Sequence, residues 1–380
     1  MTKKETTPKA PKATSPTLAP KLVRRQISQA RRDIADWKSA LTFASASDPK
    51  NYLLQDIYSD IATDALLTSQ LNNRKEQTIS APFEMITDGK TDENATNQLR
   101  ALPVLQDIFS IILDSEYYGY SFVELSANDG LYKAELIDRQ NVVPASGKIY
   151  PNVLINNFIE YRKMAEFGRF WLEFNSNHIG LLNKAVPHVL FKKFAQSCWS
   201  ELCEIFGIPP RYIKTDTRDE QMLSRAETMM NEIGAAAFFI IDSTEEFQFA
   251  QGVNTSGDVY SNLINLCNNE ISMLVSGAII GQDTKNGNES KEKVSIGVLD
   301  MLVNSDKRMV EVYMNSIVIP AFYRIGWIAP TTARFHFSSV EDTDKLWAIV
   351  KDILPHKNVD NDFILEKFGI KVTDKPVNFQ

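Results

Sequence analysis

The sequence predicts an α+β fold organised around three long helices, and three observations point there. Apolar residues recur at three- and four-residue steps across 182–206, 258–280 and 294–325. Elsewhere, strand-like runs meet at turn dipeptides, above all at Asn128-Asp129-Gly130 between Tyr120–Leu125 and Leu131–Ile137. A small mixed insert separates the first two long helices: a short helix over Asp219–Ile233 and two strand-like runs, Ala236–Ile241 and Glu246–Ala250.

Residues 1–25, from Lys3-Lys4-Glu5 through Pro20, carry almost no apolar side chain and a positive balance. Such a stretch buries too little surface to offset chain entropy, so it is expected to be a disordered basic tail. A solvated arm is the plain reading; contact with DNA or a partner is the alternative. Leu54, Ile57, Tyr58, Ile61 and Ala65 then paint one stripe of a helix over Leu53–Lys75. Pro82–Thr87 is extended and closed by Asp88-Gly89. Leu99, Leu102, Leu105, Ile108, Ile111 and Ile112 stay in helical phase across 95–115, the hairpin at 120–137 follows, and Glu160–Phe174 alternates enough for further strands.

The first long helix is marked by Leu182, Val186, Val189, Leu190, Phe194, Trp199, Leu202, Ile205 and Phe206. It is roughly 37 Å long at 1.5 Å per residue. Gly207 sits where a left-handed C-cap falls, and Pro209-Pro210 forbids continuation. Tyr260, Leu263, Ile264, Cys267, Ile271, Leu274 and Val275 mark the second. A polar loop, 281–293, leads to the third, Val294–Ile325, in which Pro320 makes a kink or opens a last turn. A strand at Ala333–Phe337 and two short helices end the chain, the last with Asp360 as N-cap and Gly369 as C-cap.

Composition narrows the function. Among 380 residues, 43% are hydrophobic and 23% charged, ordinary for a chain with a real core. The net charge of -7 argues against a dedicated nucleic-acid binder but not against a wall that DNA slides past. No apolar leader is visible, and the longest apolar run, Ala235–Ile241, is too short to span a bilayer, so no membrane partner is expected. Cys198, Cys203 and Cys267 lie inside helical patterns and read as reduced core thiols. No phosphate-binding Gly-Lys-Ser/Thr loop, His-Glu-x-x-His or Cys-x-x-Cys occurs. His178, His188, His336 and His356 are isolated, and Asp360-Asn361-Asp362 is explained by a helix start. No catalytic, cofactor-binding or metal residue is therefore assigned, and no cofactor is expected.

Particular residues make the element order specific. The run Gly180-Leu181-Leu182-Asn183-Lys184-Ala185-Val186-Pro187-His188-Val189-Leu190-Phe191-Lys192-Lys193 continues through Trp199-Ser200-Glu201-Leu202 and Phe206-Gly207-Ile208-Pro209-Pro210-Arg211. With Asp64–Arg74, Gly119–Glu124 and Cys267–Ser272 leading to Gly281-Gln282, it resembles the Mu-like branch of phage portal proteins over roughly residues 50–375. The resemblance implies a non-enzymatic ring subunit at a capsid vertex, serving DNA packaging, ejection and head–tail joining. It implies a portal fold: a wing over 26–180 and 294–340, stem helices at 181–207 and 257–280, a clip at 208–256, a tunnel loop at 281–293 and a reduced crown at 341–380. It implies twelve copies, docking of the terminase large subunit, a head–tail adaptor and a major capsid or scaffold protein, and double-stranded DNA passing without sequence recognition. The expected location is the virion, after assembly in the host bacterial cytoplasm.

On this reading Phe194, Trp199, Phe206, Leu263 and Leu274 are stem packing residues, serving core and ring interface together. Lys285, Lys291 and Lys293 in the tunnel loop are candidates for transient DNA backbone contact, and equally readable as solvated loop lysines. Two rival readings stay open: a phage-encoded enzyme whose site is assembled from distant residues, and a non-capsid α/β interaction module.

Overall fold

The computed structural model describes residues 29–128, 131–175, 179–207, 211–232, 238–246, 257–279, 289–338, 343–354, 356 and 359–371. The basic tail at 1–25 lies outside them.

The described chain opens with helix α1, Gln29–Ala44, which the sequence reading passed over; its Ile34, Trp37 and Leu41 face the core at helical steps. The expected single helix over 53–75 is two, α2 at Tyr52–Ile61 and α3 at Ala65–Ile79. Asp64 makes the break. Its backbone is extended and its carboxylate accepts from the amides of Leu66 and Leu67, capping α3. After β1 (Phe83–Thr87) and β2 (Lys90–Thr91), the expected helix over 95–115 is also split, into α4 (Glu93–Arg100) and α5 (Leu105–Tyr118). Pro103 lies in the gap, where it has no amide to give and disfavours helix before it. The apolar phase survived the break because Leu102, Val104 and Leu105 enter the same core as Ile108 and Ile112.

Strands β3 (Tyr120–Asn128) and β4 (Leu131–Leu136) form the expected hairpin. Three two-residue strands follow, β5 (Val142–Val143), β6 (Lys148–Ile149) and β7 (Ile159–Glu160), joined in an antiparallel sheet, and β8 (Trp171–Asn175) pairs with β3. Of the strands expected over 160–174, Tyr161–Lys163 is instead a 3₁₀ turn. The long helix α6, Leu182–Gly207, matches its expected span, Gly207 being its last residue.

The insert holds β9 (Arg211–Thr215), α7 (Glu220–Glu232) and β10 (Phe238–Asp242), with β9 and β10 parallel. β9 was not anticipated, and residues 247–250 of the expected last strand lie outside the described residues. Helix α8, Asp258–Ser276, stops four residues short of its expected end because Gly277 takes a left-handed conformation at φ +70. A Cβ there would stand 2.6 Å from Val298 Cγ1.

Helix α9 begins at Glu289 and runs to Tyr313, so the last five residues of the expected 281–293 loop are helical, and 280–288 lie outside the described residues. A π turn at Met314–Val318 joins it to α10 (Ile319–Arg324). Pro320 is the reason: lacking an amide, it cannot continue the regular ladder, and the widened turn absorbs the fault. β11 (Arg334–Phe337), α11 (Thr343–Ile353) and α12 (Asn361–Phe368) complete the chain, with Asp360 capping α12 and Gly369 left-handed after it.

Three clusters hold these elements. The largest joins α4, α5 and the α9–α10 segment to the inward faces of β1, β3, β8 and β11. The second gathers α1, α2 and α3 with Tyr117 of α5 around the near ends of α6 and α8. The third packs Tyr120 and Phe122 against Val142 and Tyr161. The outer edge of β11 is not left open. Asn315, inside the π turn, accepts from the Phe335 amide at 2.8 Å and donates to the Phe335 carbonyl at 2.9 Å, and Glu311 accepts from the Phe337 amide at 2.8 Å.

Candidate functional site: the paired rods

The rods α6 and α8 run antiparallel, since the start of α6 packs with the end of α8. Leu182, Ala185, Val186, Val189 and Leu190 meet Ile271 and Val275 in the second cluster. Entry into α6 is tightly set. Gly180 has φ +106, and a Cβ there would lie 2.5 Å from the Tyr117 carbonyl and 2.6 Å from the Gly119 amide nitrogen, so two backbone segments cross where only glycine fits.

Ionic ties clamp the near ends to the body. Arg74 of α3 donates two hydrogen bonds of 2.7 Å to Asp306 of α9 and a third, at 2.9 Å, to the Val275 carbonyl in the last turn of α8. One guanidinium thus joins three helices, filling the planar fork that arginine offers. Burial opposes charge on Arg74, yet the Asp306 hydrogen bond and neighbouring negative groups hold its pKa above the ordinary value. On the other rod, Lys192 lies 2.8 Å from Asp64, the residue that caps α3, with both side chains buried. Ser276 of α8 donates to Gln70 of α3, and Lys193 pairs with Asp60 at 2.9 Å.

Farther out the rods lose the body. Full burial on α6 ends at Ala195 and on α8 begins at Cys267. Of the five stem residues singled out by sequence, Phe194, Trp199, Leu263 and Leu274 are half-buried, and the Phe206 side chain lies outside those described. Leu274 packs on the edge of the second cluster. Trp199 reaches the start of α8, where a Cβ on Gly257 would stand 3.0 Å from the indole nitrogen. The three thiols divide likewise: Cys267 is buried, Cys198 intermediate and Cys203 exposed, so the expectation of core thiols fails for Cys203 within one chain.

Both rods show mainly polar side chains to solvent, but exposed apolar ones recur among them. Val259, Leu266 and Met273, seven residues apart on α8, are exposed. Phe191 of α6 and Val294, Met301 and Val312 of α9 are exposed as well. Sequence reasoning sorted the inward residues of these rods and left this outward stripe unread, although its seven-residue spacing was visible. In the insert, Tyr212 and Phe239 are register partners on β9 and β10, and both are exposed. At its tip the Asp242 carboxylate accepts from the amides and hydroxyls of Thr217 and Thr244, which holds its pKa well below the usual carboxylate range.

Of the three loop lysines, Lys285 lies outside the described residues, Lys291 sits in the first turn of α9 and Lys293 is exposed on that helix. Among the described residues no three His, Cys, Asp or Glu side chains are grouped to hold a metal, and no helix is long and apolar enough to cross a membrane.

Comparison with known proteins supplies the context. The family model described as the portal protein of Mu bacteriophage matches residues 55–370. No curated protein matches the chain in sequence. Among solved structures, the chain is similar to one from the neck of an empty GTA particle, with a TM-score of 0.53 at 12% identity over 88% of this chain and 98% of that one. A phage portal protein of the HK97 family from Corynebacterium diphtheriae aligns at 11% identity and a TM-score of 0.42, over 79% of this chain and 97% of that one.

Proposed function

Because this chain belongs to the family of the portal protein of Mu bacteriophage, we propose that its rods assemble side by side into a ring of twelve whose opening passes DNA. The family is structural: a portal subunit is a virion component that forms the channel for DNA packaging and joins head to tail. The observation that carries the ring geometry is the outward stripe Val259, Leu266 and Met273 on rods already tied to the body at their near ends. Apolar side chains at a seven-residue interval on a helix favour a neighbouring helix, and identical neighbours in a head-to-tail contact close into a ring when the rotation between them is a whole fraction of a turn.

In that ring the bodies, 26–180 and 294–340, form the wing, and α6 and α8 form the stem. The insert 208–256 is the clip that docks the terminase large subunit and the head–tail adaptor, residues near 281–293 face the channel, and 341–380 form a reduced crown. A major capsid or scaffold protein surrounds the wing, and assembly takes place in the host cytoplasm. The mildly acidic chain repels phosphates weakly, so DNA moves without sticking. Lys285, Lys291 and Lys293 contribute transient, sequence-independent contacts to the DNA backbone.

Electron microscopy with mass measurement tests the ring. The expected particle is annular and of about half a megadalton, from copies of 43.0 kDa. Solitary particles of one chain under all conditions would refute it. Replacing the three lysines with alanine is expected to slow packaging, and unchanged packaging removes their role. Exchanging residues 209–250 for another portal's insert is expected to abolish partner docking while rings still form, and retained docking moves the partner surface elsewhere.

A further inference from the structure

Resting on the ring reading above, we infer that the buried polar joint between α3 and the rods fixes the angle at which each subunit meets the next, and so selects the number of copies in the ring. Among the described residues only four charged side chains are buried, Asp64, Arg74, Lys192 and Asp306, and all four lie in this joint. Gln70 of α3 and Ser276 of α8, hydrogen-bonded to each other, are buried there too. The rest of the seat beneath the rods is apolar, with Val186, Val189, Ile271 and Val275 at its centre.

The two kinds of contact act differently. Apolar attraction is non-directional, so it holds the rods down without choosing between nearby angles. Buried charges joined by hydrogen bonds are directional, and moving one off its partner leaves a charge alone in the interior. Stability by itself does not call for them. A buried ion pair replaced by apolar side chains of similar volume is often as stable or more so, and the best-attested use of such groups is to fix register.

Their placement makes a two-point attachment. At the start of α3, Asp64 meets Lys192 of α6 at 2.8 Å. Farther along the same helix, Arg74 reaches the Val275 carbonyl at the end of α8 at 2.9 Å and Asp306 of α9 at 2.7 Å. From 64 to 74 the helix rises about 15 Å. One tie would let a rod pivot; two ties that far apart do not. Asp306 carries the hold into the body, because Val310 and Met314, one and two turns on, sit in the largest cluster.

A closed ring asks for this tolerance. Twelve copies are turned by about 30° from one to the next, and one copy more or fewer changes that angle by about 2–3°. Over ~15 Å such a tilt displaces one tie from the other by roughly 0.6 Å. That carries contacts of 2.7 and 2.8 Å beyond the ~3.2 Å reach of a good hydrogen bond. Rods that meet side by side through Val259, Leu266 and Met273 bring their bodies side by side as well, so the angle at the joint enters every contact around the ring.

The full chain provides the test. Lys192→Met combined with Asp64→Ser removes one tie without stranding a charge, and serine keeps a cap on α3. Its circular dichroism is expected to match that of the unaltered chain. Mass measurement of its rings is expected to show several copy numbers, the share at the majority number falling by about half or more. Lys192→Gln spares Asp64 and its cap, is expected to spread the copy number less, and stands in should the double variant not fold. Ile108→Val, in the largest cluster and away from the joint, is expected to leave the copy number unchanged. Rings of a single size from both Lys192 variants, or an equal spread from Ile108→Val, overturn the role of the joint and leave the ring reading intact. Absence of rings in the unaltered chain instead sinks the ring reading, and the role of the joint with it.

Discussion

Near the body, the rods bury Val186, Val189, Ile271 and Val275 to 1% exposure or less; away from it, Trp199, Leu202 and Leu263 remain half exposed. The residue types barely differ between the two halves. What differs is that the near half meets α1, α2 and α3 and is clamped by two buried ion pairs, while the far half leans on its antiparallel mate. Folding of one chain settles the near half. The far half has surface left over, and in the proposed ring neighbouring copies would supply what it lacks.

That contrast can be broken by substitution. The largest effect is expected from Arg74→Met, which strands Asp306 and the Val275 carbonyl in the interior and should cost about 3–5 kcal/mol in urea unfolding of the isolated chain. A loss under about 1 kcal/mol would mean the clamp is ornamental. Next, Ile271→Ala at the near end should cost ~2–5 kcal/mol, whereas Leu263→Ala two turns toward the far end should cost ~1 kcal/mol or less. Equal losses would abolish the distinction. The smallest change in the isolated chain is expected from Val259→Ser, within about 0.5 kcal/mol, although ring recovery on size exclusion should fall. Unchanged ring recovery would remove the outward stripe from the interface.

Much of this organisation was legible in the sequence because helical periodicity and turn chemistry are local. The span of α6, the pairing of β3 with β4 and the caps at Asp360 and Gly369 needed no distant information. Where reading failed, the competing cause was also local but subtler. Asp64 capped a helix inside what looked like a continuous stripe, and the phase running past Pro103 concealed a break that proline should have announced. β9 was overlooked because Arg211 and Lys214 make its five residues look polar. α1 showed Ile34, Trp37 and Leu41 at helical steps, a signal present and unused. The clamps were beyond reach: Arg74 and Asp306 are 232 residues apart, and nothing in either neighbourhood names the other. The candidate site shared this split, since inward rod residues follow from periodicity, whereas surface that awaits a second copy shows only once one copy has folded.

The side-chain seal on β11 bears on how such a subunit survives before it finds its neighbours. An unpaired strand edge templates the addition of further strands, a hazard for any chain synthesised in many copies and held at high local concentration. Asn315 and Glu311 occupy the hydrogen-bonding positions at Phe335 and Phe337 that a foreign strand would use. A waiting subunit is thereby denied that route to fibrils, and the lengthened helical turn forced by one proline sets the asparagine where it blocks the way.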